Sequence, residues 1–259
     1  MKRVWWRTQE KFSATFVGFL VAGLVMSGCV GTEDEAGSDT NAGGGAGEEG
    51  TAGDQASGND DALPVDGATA SEADIECPAV DGSSSRVTNF AAAPPMCLDL
   101  SATYVAQMQT NHGPITIELF PDLAPVTVNN FVFLARHHYY DGVAFHRIIP
   151  GFVIQGGDAV GNPPGTGGPG YTISEEPPAP GAYQIGSLVM AKTPAPNSTG
   201  SQFFIITGPN GATLPNEYSL FGQVTTGLDV VQAIEQTPTD GRDFPIEPAT
   251  IESITIVAG

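Results

Sequence analysis

The first third of the chain contains a long segment that cannot form a hydrophobic core. Between Val30 and Glu76 the residues are mainly Gly, Ala, Ser, Thr, Asp and Glu, with thirteen acids and no Lys or Arg. Such a segment buries too little apolar surface to offset its chain entropy. We therefore predict a disordered, self-repelling acidic tether at residues 29–76 and a folded part confined to the residues that follow.

The N-terminus is typical of an exported protein. Four basic residues within 2–11 precede an apolar run over 16–26, which is shorter than a confident membrane span. The run ends in Met26-Ser27-Gly28-Cys29, which resembles a bacterial lipobox, where the cysteine is lipidated. We predict a lipoprotein signal peptide at 1–28, a lipid anchor on Cys29 and an extracytoplasmic location at a cell membrane. The alternative is a non-lipidated signal peptide with an incidental cysteine.

The charge balance excludes some partners. Removal of residues 1–28 takes away four of the nine basic residues and one of the 29 acids, so the formal charge changes from −20 to −23. A chain this acidic has no electrostatic attraction for nucleic acid or for anionic lipid. We therefore predict no nucleic-acid partner.

Two cysteines, Cys77 and Cys97, remain once Cys29 is assigned to the anchor. A pair of cysteines in an exported chain predicts a disulfide. Closing a loop of about 20 residues stabilises the fold by roughly 3 kcal/mol in the chain-entropy model. Zinc is the alternative, but no histidine lies near either cysteine in sequence. We predict a disulfide-stapled extension at 77–101.

Residues 102–259 show the pattern of a mainly β domain. Two alternating segments flank the turn Asn111-His112-Gly113 and predict a hairpin, and a helix with a cap near Thr127 is predicted over 125–137. The remaining segments predict strands at 145–149, 152–154, 187–191, 202–207, 220–224 and 251–257, and a helix at 228–236. Together they favour a closed eight-stranded antiparallel barrel capped by two α-helices.

The stretch from Ala144 to Asp158 places Arg147 and Gln155 among apolar residues. Desolvating such groups costs free energy, which suggests a function for them. The chain lacks a Gly-x-Ser-x-Gly elbow, a His-Glu-x-x-His pair and a phosphate-binding loop. We therefore predict no metal site and no cofactor. The predicted reaction is one that needs neither.

Rotation about an X-Pro bond is such a reaction. Its barrier of about 20 kcal/mol comes from amide resonance. When the bond twists, the proline nitrogen regains its lone pair, so a donor aimed at that nitrogen stabilises the transition state selectively. Arg147 suits this role, Gln155 can hold a flanking carbonyl, and Phe152 and Phe204 can grip the proline ring.

At these residues the chain resembles the cyclophilin family of peptidyl-prolyl cis-trans isomerases. The similarity extends over about 103–257 and is carried by Phe145-His-Arg-Ile-Ile-Pro-Gly-Phe-Val-Ile-Gln-Gly-Gly-Asp158 and Gly200-Ser-Gln-Phe-Phe-Ile205. It implies an eight-stranded barrel with a peptide groove on its outer face, isomerase activity and catalytic roles for Arg147, Gln155 and Phe152. The substrate-binding residues that it implies are His146, Val153, Ala191, Gln202, Phe204, Leu214 and Tyr218.

We expect a monomer that acts on proline-containing segments of exported proteins. Some positions differ from the best-known members: Thr213 stands where many have tryptophan, Tyr218 where they have histidine, and Lys192 where they have asparagine. The missing tryptophan bears on tight cyclosporin binding more than on activity. Glu175 and Glu176 are expected to be solvated. The alternatives are a non-catalytic proline-peptide-binding module or chaperone on a membrane tether, and a lipoprotein whose barrel is only a scaffold.

Overall fold

The computed structural model describes residues 75–259. The predictions for the signal peptide, for Cys29 and for nearly all of the tether lie outside these residues. The described part contains nine strands and three helices: β1 (Tyr104–Thr110), β2 (Gly113–Leu119), α1 (Pro125–Arg136), β3 (Val143–Ala144), β4 (Arg147–Ile149), β5 (Val153–Gly156), β6 (Ser187–Met190), β7 (Phe203–Ile206), α2 (Pro209–Ala212), β8 (Leu220–Thr226), α3 (Leu228–Glu235) and β9 (Thr250–Ala258).

The strands form one antiparallel sheet in the order β3-β9-β1-β2-β8-β6-β7-β5-β4. Its two end strands, β3 and β4, are separated in the chain only by Phe145 and His146. The two edges of the sheet therefore meet at one stretch of backbone, which requires the sheet to curl. The predicted mainly β class with few helices is confirmed. The predicted count of eight strands and two helices is corrected to nine and three, because the stretch around residue 145 divides into two short strands and Pro209 starts an extra helical turn.

Alternation along the strands builds two cores on opposite faces of the sheet. Ile154 of β5 and Ile205 of β7 point into the main core, which also contains the aromatic side chains of α1. Their neighbours Val153 and Phe204 point to the other face and join a smaller cluster with Val189. Because side chains alternate with period two, the four strands β5 to β8 each contribute to both clusters. The smaller cluster lies on the face that carries the candidate site.

Helix α1 begins one turn earlier than its predicted cap. Its N-cap is Ala124, which has no capping side chain, and Thr127 lies inside the first turn. Glu176, from the loop before β6, accepts hydrogen bonds from the backbone N–H of Val126 at 3.1 Å and of Thr127 at 2.8 Å, and from the Thr127 hydroxyl at 2.7 Å. A carboxylate at a helix N-terminus is electrostatically favourable. The prediction that Glu176 is merely solvated was therefore wrong.

The segment before β1 packs on the sheet domain, and a disulfide closes it into a loop. Cys77 and Cys97 form the predicted disulfide, with their Cα atoms 5.5 Å apart. The backbone N–H of Cys97 donates to Asn129 of α1, and Arg86 donates to the carbonyls of His138 and Asp141. These bonds attach the segment to α1 at Asn129 and to the turn that follows the helix. Within residues 75–259, no helix has the length and apolar character needed to cross a bilayer.

Replacing Glu176 by Ala is expected to lower the free energy of unfolding by about 1–2 kcal/mol, because three donors at the start of α1 lose their acceptor. Chemical denaturation measures this change. Glu252→Ala, which removes an exposed carboxylate from β9, is the control and should change the stability by less than about 0.5 kcal/mol. Equal effects of the two substitutions would contradict a capping role for Glu176.

Candidate functional site

Arg147 and Gln155 face each other across an antiparallel strand pair. They are directly opposite in the β4–β5 register, and Gln155 in turn pairs with Phe204 of β7. An Arg147 Nη1–H donates to Gln155 Oε1 at 3.3 Å, while Arg147 Nε lies 3.9 Å from a carboxylate oxygen of Asp243. The Arg147 side chain is 41% exposed, so it is not an arginine locked in a buried ion pair. Donors of its guanidinium remain available to a ligand.

Beside this pair lies an apolar pocket of about 130 Å³. Phe152 and Leu214 are partly buried against the outer cluster formed by Val153 and Phe204. Tyr218 contacts the Phe204 ring edge-on, with the ring centroids 5.8 Å apart. The structure brings together all three predicted catalytic residues and five of the seven predicted binding residues. The full lining is Arg147, Phe152, Val153, Gln155, Ala191, Lys192, Phe204, Leu214 and Tyr218.

Gln202 holds Gln155 in place. Gln155 Nε2–H donates to Gln202 Oε1 at 3.1 Å, and Gln202 Nε2 donates to the carbonyls of Gly165 and Gly167 at 3.0 and 2.9 Å. Both amide hydrogens of Gln202 are therefore used within the protein. Gln202 acts here as a support for Gln155 more than as a donor to substrate.

The loop that holds Gln202 is itself organised around Asp158. The Asp158 carboxylate accepts four backbone N–H groups, from residues 160, 161, 165 and 167, at 2.7–3.1 Å. Partial burial acts to raise the pKa of Asp158, but these four donors hold it below its ordinary value. The backbone at Gly157 lies close to the Ser201 carbonyl oxygen, and a Cβ at residue 157 would be only 2.6 Å from that oxygen. Glycine fits this position because it has no Cβ and readily adopts the φ of +86° found there.

His146 lines neither the apolar pocket nor the second pocket described below. It is 6% exposed and lies under the loop, where a Cβ on Gly165 would come within 3.1 Å of its ring. Neither ring nitrogen has a hydrogen-bond partner within residues 75–259, and burial lowers the pKa of His146 below its ordinary value. The imidazole is therefore neutral near pH 7 and supports the loop from below.

A second, larger pocket of about 450 Å³ adjoins the apolar one. Gln155, Ala191 and Lys192 line both pockets, so one extended peptide can cross from one to the other. Lys192 Nζ lies 3.8 Å from Glu175 Oε1. Glu175 also accepts the backbone N–H groups of Asn197 and Ser198, so the prediction that it is solvated was wrong.

Residues 105–256 match the family described as cyclophilin type peptidyl-prolyl cis-trans isomerase. The chain belongs to this family. It is 44% identical over 170 residues to peptidyl-prolyl cis-trans isomerase B of Streptomyces anulatus, covering 58% of this chain and 95% of that protein. It is 41% identical over 172 residues to peptidyl-prolyl cis-trans isomerase A of Mycobacterium tuberculosis, covering 60% and 93%.

The fold is similar to a solved cyclophilin from Cryptosporidium parvum. A crystal structure of that isomerase, obtained in the presence of the dipeptide Ala-Pro, has a TM-score of 0.55 and 34% identity, covering 60% of this chain and 99% of that one. The prediction of a cyclophilin-type isomerase, and hence of an enzyme, is confirmed at the level of the family.

Two positions at which the chain was expected to differ from better-known family members lie in different places in the structure. Thr213 is exposed, bonds to the Asn210 carbonyl and lines neither groove pocket. Tyr218, by contrast, reaches the apolar pocket.

Within residues 75–259, no group of three or more His, Cys, Asp or Glu side chains is arranged to hold a metal.

Asp158 is the functional residue whose role the sequence left unassigned. The sequence does show that Asp158 ends the Gly-Gly-Asp turn and precedes a loop rich in glycine. The four donors that it binds span residues 160–167, and only the folded loop brings them together.

Replacing Asp158 by Asn in this cyclophilin puts an N–H donor against backbone donors and loosens the loop beneath Gln202. We expect kcat to fall about tenfold while KM changes less than about threefold, because the apolar pocket is untouched and Arg147 loses its alignment. Asp122→Asn, at an exposed turn, is the matched control. A rise in KM at constant kcat would contradict the positioning role.

Proposed function

We propose that the chain accelerates rotation about X-Pro bonds in exported proteins, with Arg147 stabilising the twisted imide. One observation carries this proposal: the guanidinium of Arg147 and an apolar pocket of about 130 Å³ share one wall of the same groove. The apolar pocket accommodates a pyrrolidine ring, and the guanidinium borders it.

The chemistry follows from the electronic change during rotation. In the planar imide the proline nitrogen shares its lone pair with the carbonyl, and in the twisted state that lone pair becomes an acceptor. A guanidinium donor next to the nitrogen therefore binds the twisted state more strongly than either planar state, which lowers the barrier. No proton is transferred, so the step needs no group with a pKa near 7.

Gln155 contributes in two ways to this mechanism. Its Oε1 accepts from Arg147 and restricts the guanidinium, and one of its two amide hydrogens binds Gln202. The second amide hydrogen remains to bind a substrate carbonyl. Phe152, Phe204 and Leu214 enclose the ring, so that the remainder of the peptide rotates relative to a fixed proline.

Arg147→Ala is expected to lower kcat/KM for an X-Pro peptide about 10²- to 10³-fold, since one transition-state donor is removed. Peptide affinity, measured by isothermal titration, should change by less than about threefold because the apolar pocket remains. Arg242→Ala removes the same charge from an exposed site outside both groove pockets and is the control.

The rival hypothesis is a non-catalytic binding module. It predicts that the parent chain binds proline peptides without accelerating their isomerisation above the uncatalysed rate. That result would reject the proposed enzyme mechanism and leave the groove as a binding site.

We further propose that the enzyme is a lipid-anchored monomer on the outer side of a cell membrane. The support comes from the basic and apolar leader, the lipobox-like Ser27-Gly28-Cys29 and the Cys77–Cys97 disulfide, since disulfides persist in oxidising compartments. An anchor followed by an acidic tether would place the groove near emerging exported chains.

Mass spectrometry of the mature protein tests the anchor. After expression in a bacterium that processes lipoproteins, we expect the first residue to be Cys29 carrying a diacylglycerol group. Cys29→Ser should abolish both the lipid and the cleavage. An unmodified N-terminus at any other residue would exclude the anchor.

A further inference from the structure

The disulfide-stapled extension, residues 77–101, reaches the back of the second groove pocket through Phe90. The backbone N–H of Phe90 donates to the carbonyl of Pro169 at 2.8 Å, and the Phe90 ring meets the Tyr171 ring edge-on, with the ring centroids 6.2 Å apart. Pro169 and Tyr171 both line the second pocket, whereas Phe90 is not among its lining residues. Phe90 therefore contacts the wall of that pocket from the outside.

The backbone of the extension packs directly against the loop that forms this wall. A Cβ on Gly170 would overlap the Phe90 carbonyl oxygen and would lie 2.5 Å from Asn89 Oδ1, and Gly170 has φ +98°. Any residue with a side chain would clash at this position and strain the backbone. The glycine between two lining residues of the pocket thus allows the close contact.

On its other side, Phe90 packs against helix α1. The Phe90 ring centroid lies 4.9 Å from that of Phe133, which is fully buried in the main core, and 5.2 Å from that of His137. Aromatic pairs at such distances contribute stability beyond the area that they bury. The Phe90 ring therefore connects the core to the wall of the second pocket.

A separate set of hydrogen bonds ties the same wall to α1. The Tyr171 hydroxyl donates to Asn130 Oδ1 at 2.7 Å, and Asn130 Nδ2 donates at 2.8 Å to the carbonyl of Gly200, another lining residue. These bonds restrain the hydroxyl end of Tyr171, while Phe90 restrains its ring and the backbone just before it. Loss of the Phe90 ring would therefore loosen the wall and leave it attached to the fold.

We propose that Phe90 is a positioning residue for the second pocket, through which the disulfide-stapled extension helps to bind the peptide residues that flank the proline. The inference rests on the proposed function, because it requires a peptide that crosses both pockets. Neither Pro169 nor Tyr171 lines the apolar pocket, so binding of the proline ring itself does not depend on Phe90. The extension precedes residues 105–256, which match the family, so its contribution to the groove is additional to the matched domain.

Two peptides separate the contributions of the two pockets. A capped Ala-Pro dipeptide occupies the apolar pocket alone, whereas a capped hexapeptide with two residues on either side of Ala-Pro also reaches the second pocket. Isomerisation of both is measured by exchange NMR with the full chain. We expect Phe90→Ala to raise KM for the hexapeptide about fivefold, since an aromatic contact that holds the wall is lost. The KM for the dipeptide, and kcat for both peptides, should change by less than about twofold.

Leu98→Ala is the matched control. Leu98 belongs to the same extension and is buried in the main core, but it lines neither groove pocket. This substitution should lower the melting temperature as Phe90→Ala does and leave both KM values unchanged. Phe90→Leu keeps an apolar side chain against Phe133 but loses the aromatic edge, so it should raise KM for the hexapeptide about twofold. It provides the test if Phe90→Ala does not fold.

Equal effects of the Phe90 substitutions on the two peptides, or an equal rise in hexapeptide KM for Leu98→Ala, would overturn the inference, because Phe90 would then only stabilise the fold. If the parent chain isomerises both peptides and the Phe90 variants have the same two KM values as the parent, this inference alone fails. A parent chain that isomerises neither peptide would reject the proposed function and this inference with it.

Discussion

The hydrogen bond between Gln155 and Gln202 connects Arg147, the proposed catalytic residue, to the loop that Asp158 organises. On one side, Gln155 restrains the guanidinium of Arg147. On the other, Gln202 is anchored by two loop carbonyls whose positions depend on Asp158. A long cationic side chain at the surface would otherwise sample many rotamers. The bond thus converts a surface arginine into a donor with a defined position beside the apolar pocket.

This arrangement depends on the alternation of the sheet. At β5 and β7, odd and even residues separate into a main core and an outer cluster, so one strand pair both stabilises the domain and forms the pocket. A shift of one residue in register would exchange Val153 and Phe204 for Ile154 and Ile205 and bury Gln155. The main core therefore fixes the geometry of the site on the opposite face.

Much of the site could be predicted because it is local in sequence. The apolar stretch around Arg147 and Gln155 already indicated two neighbouring strands at 145–149 and 152–154, and the family resemblance added Leu214 and Tyr218. The positions of the longer elements, β1, β2, β8, β9, α1 and α3, were also predicted closely, because their periodic patterns extend over seven or more residues. The short strands around Phe145 have too few residues to show a period, so their division was missed.

Other features that were not predicted depend on contacts between distant segments. Glu176 caps a helix that begins about fifty residues earlier, and Glu175 supports the turn at Asn197. In sequence both are acids in a proline-rich loop, and nothing local distinguishes them from solvated residues.

The central claim is that catalysis relies on a permanently charged donor in a fixed position and involves no proton transfer. The most direct test is the pH profile of kcat/KM for an X-Pro peptide, measured between about pH 7 and pH 9. A guanidinium keeps its proton over this range, burial lowers the pKa of His146 below its ordinary value, and four backbone donors hold the pKa of Asp158 below its own ordinary value. The account predicts a flat profile, whereas a bell-shaped or sigmoidal profile with a midpoint inside this range would show that a titrating group takes part, and would contradict it.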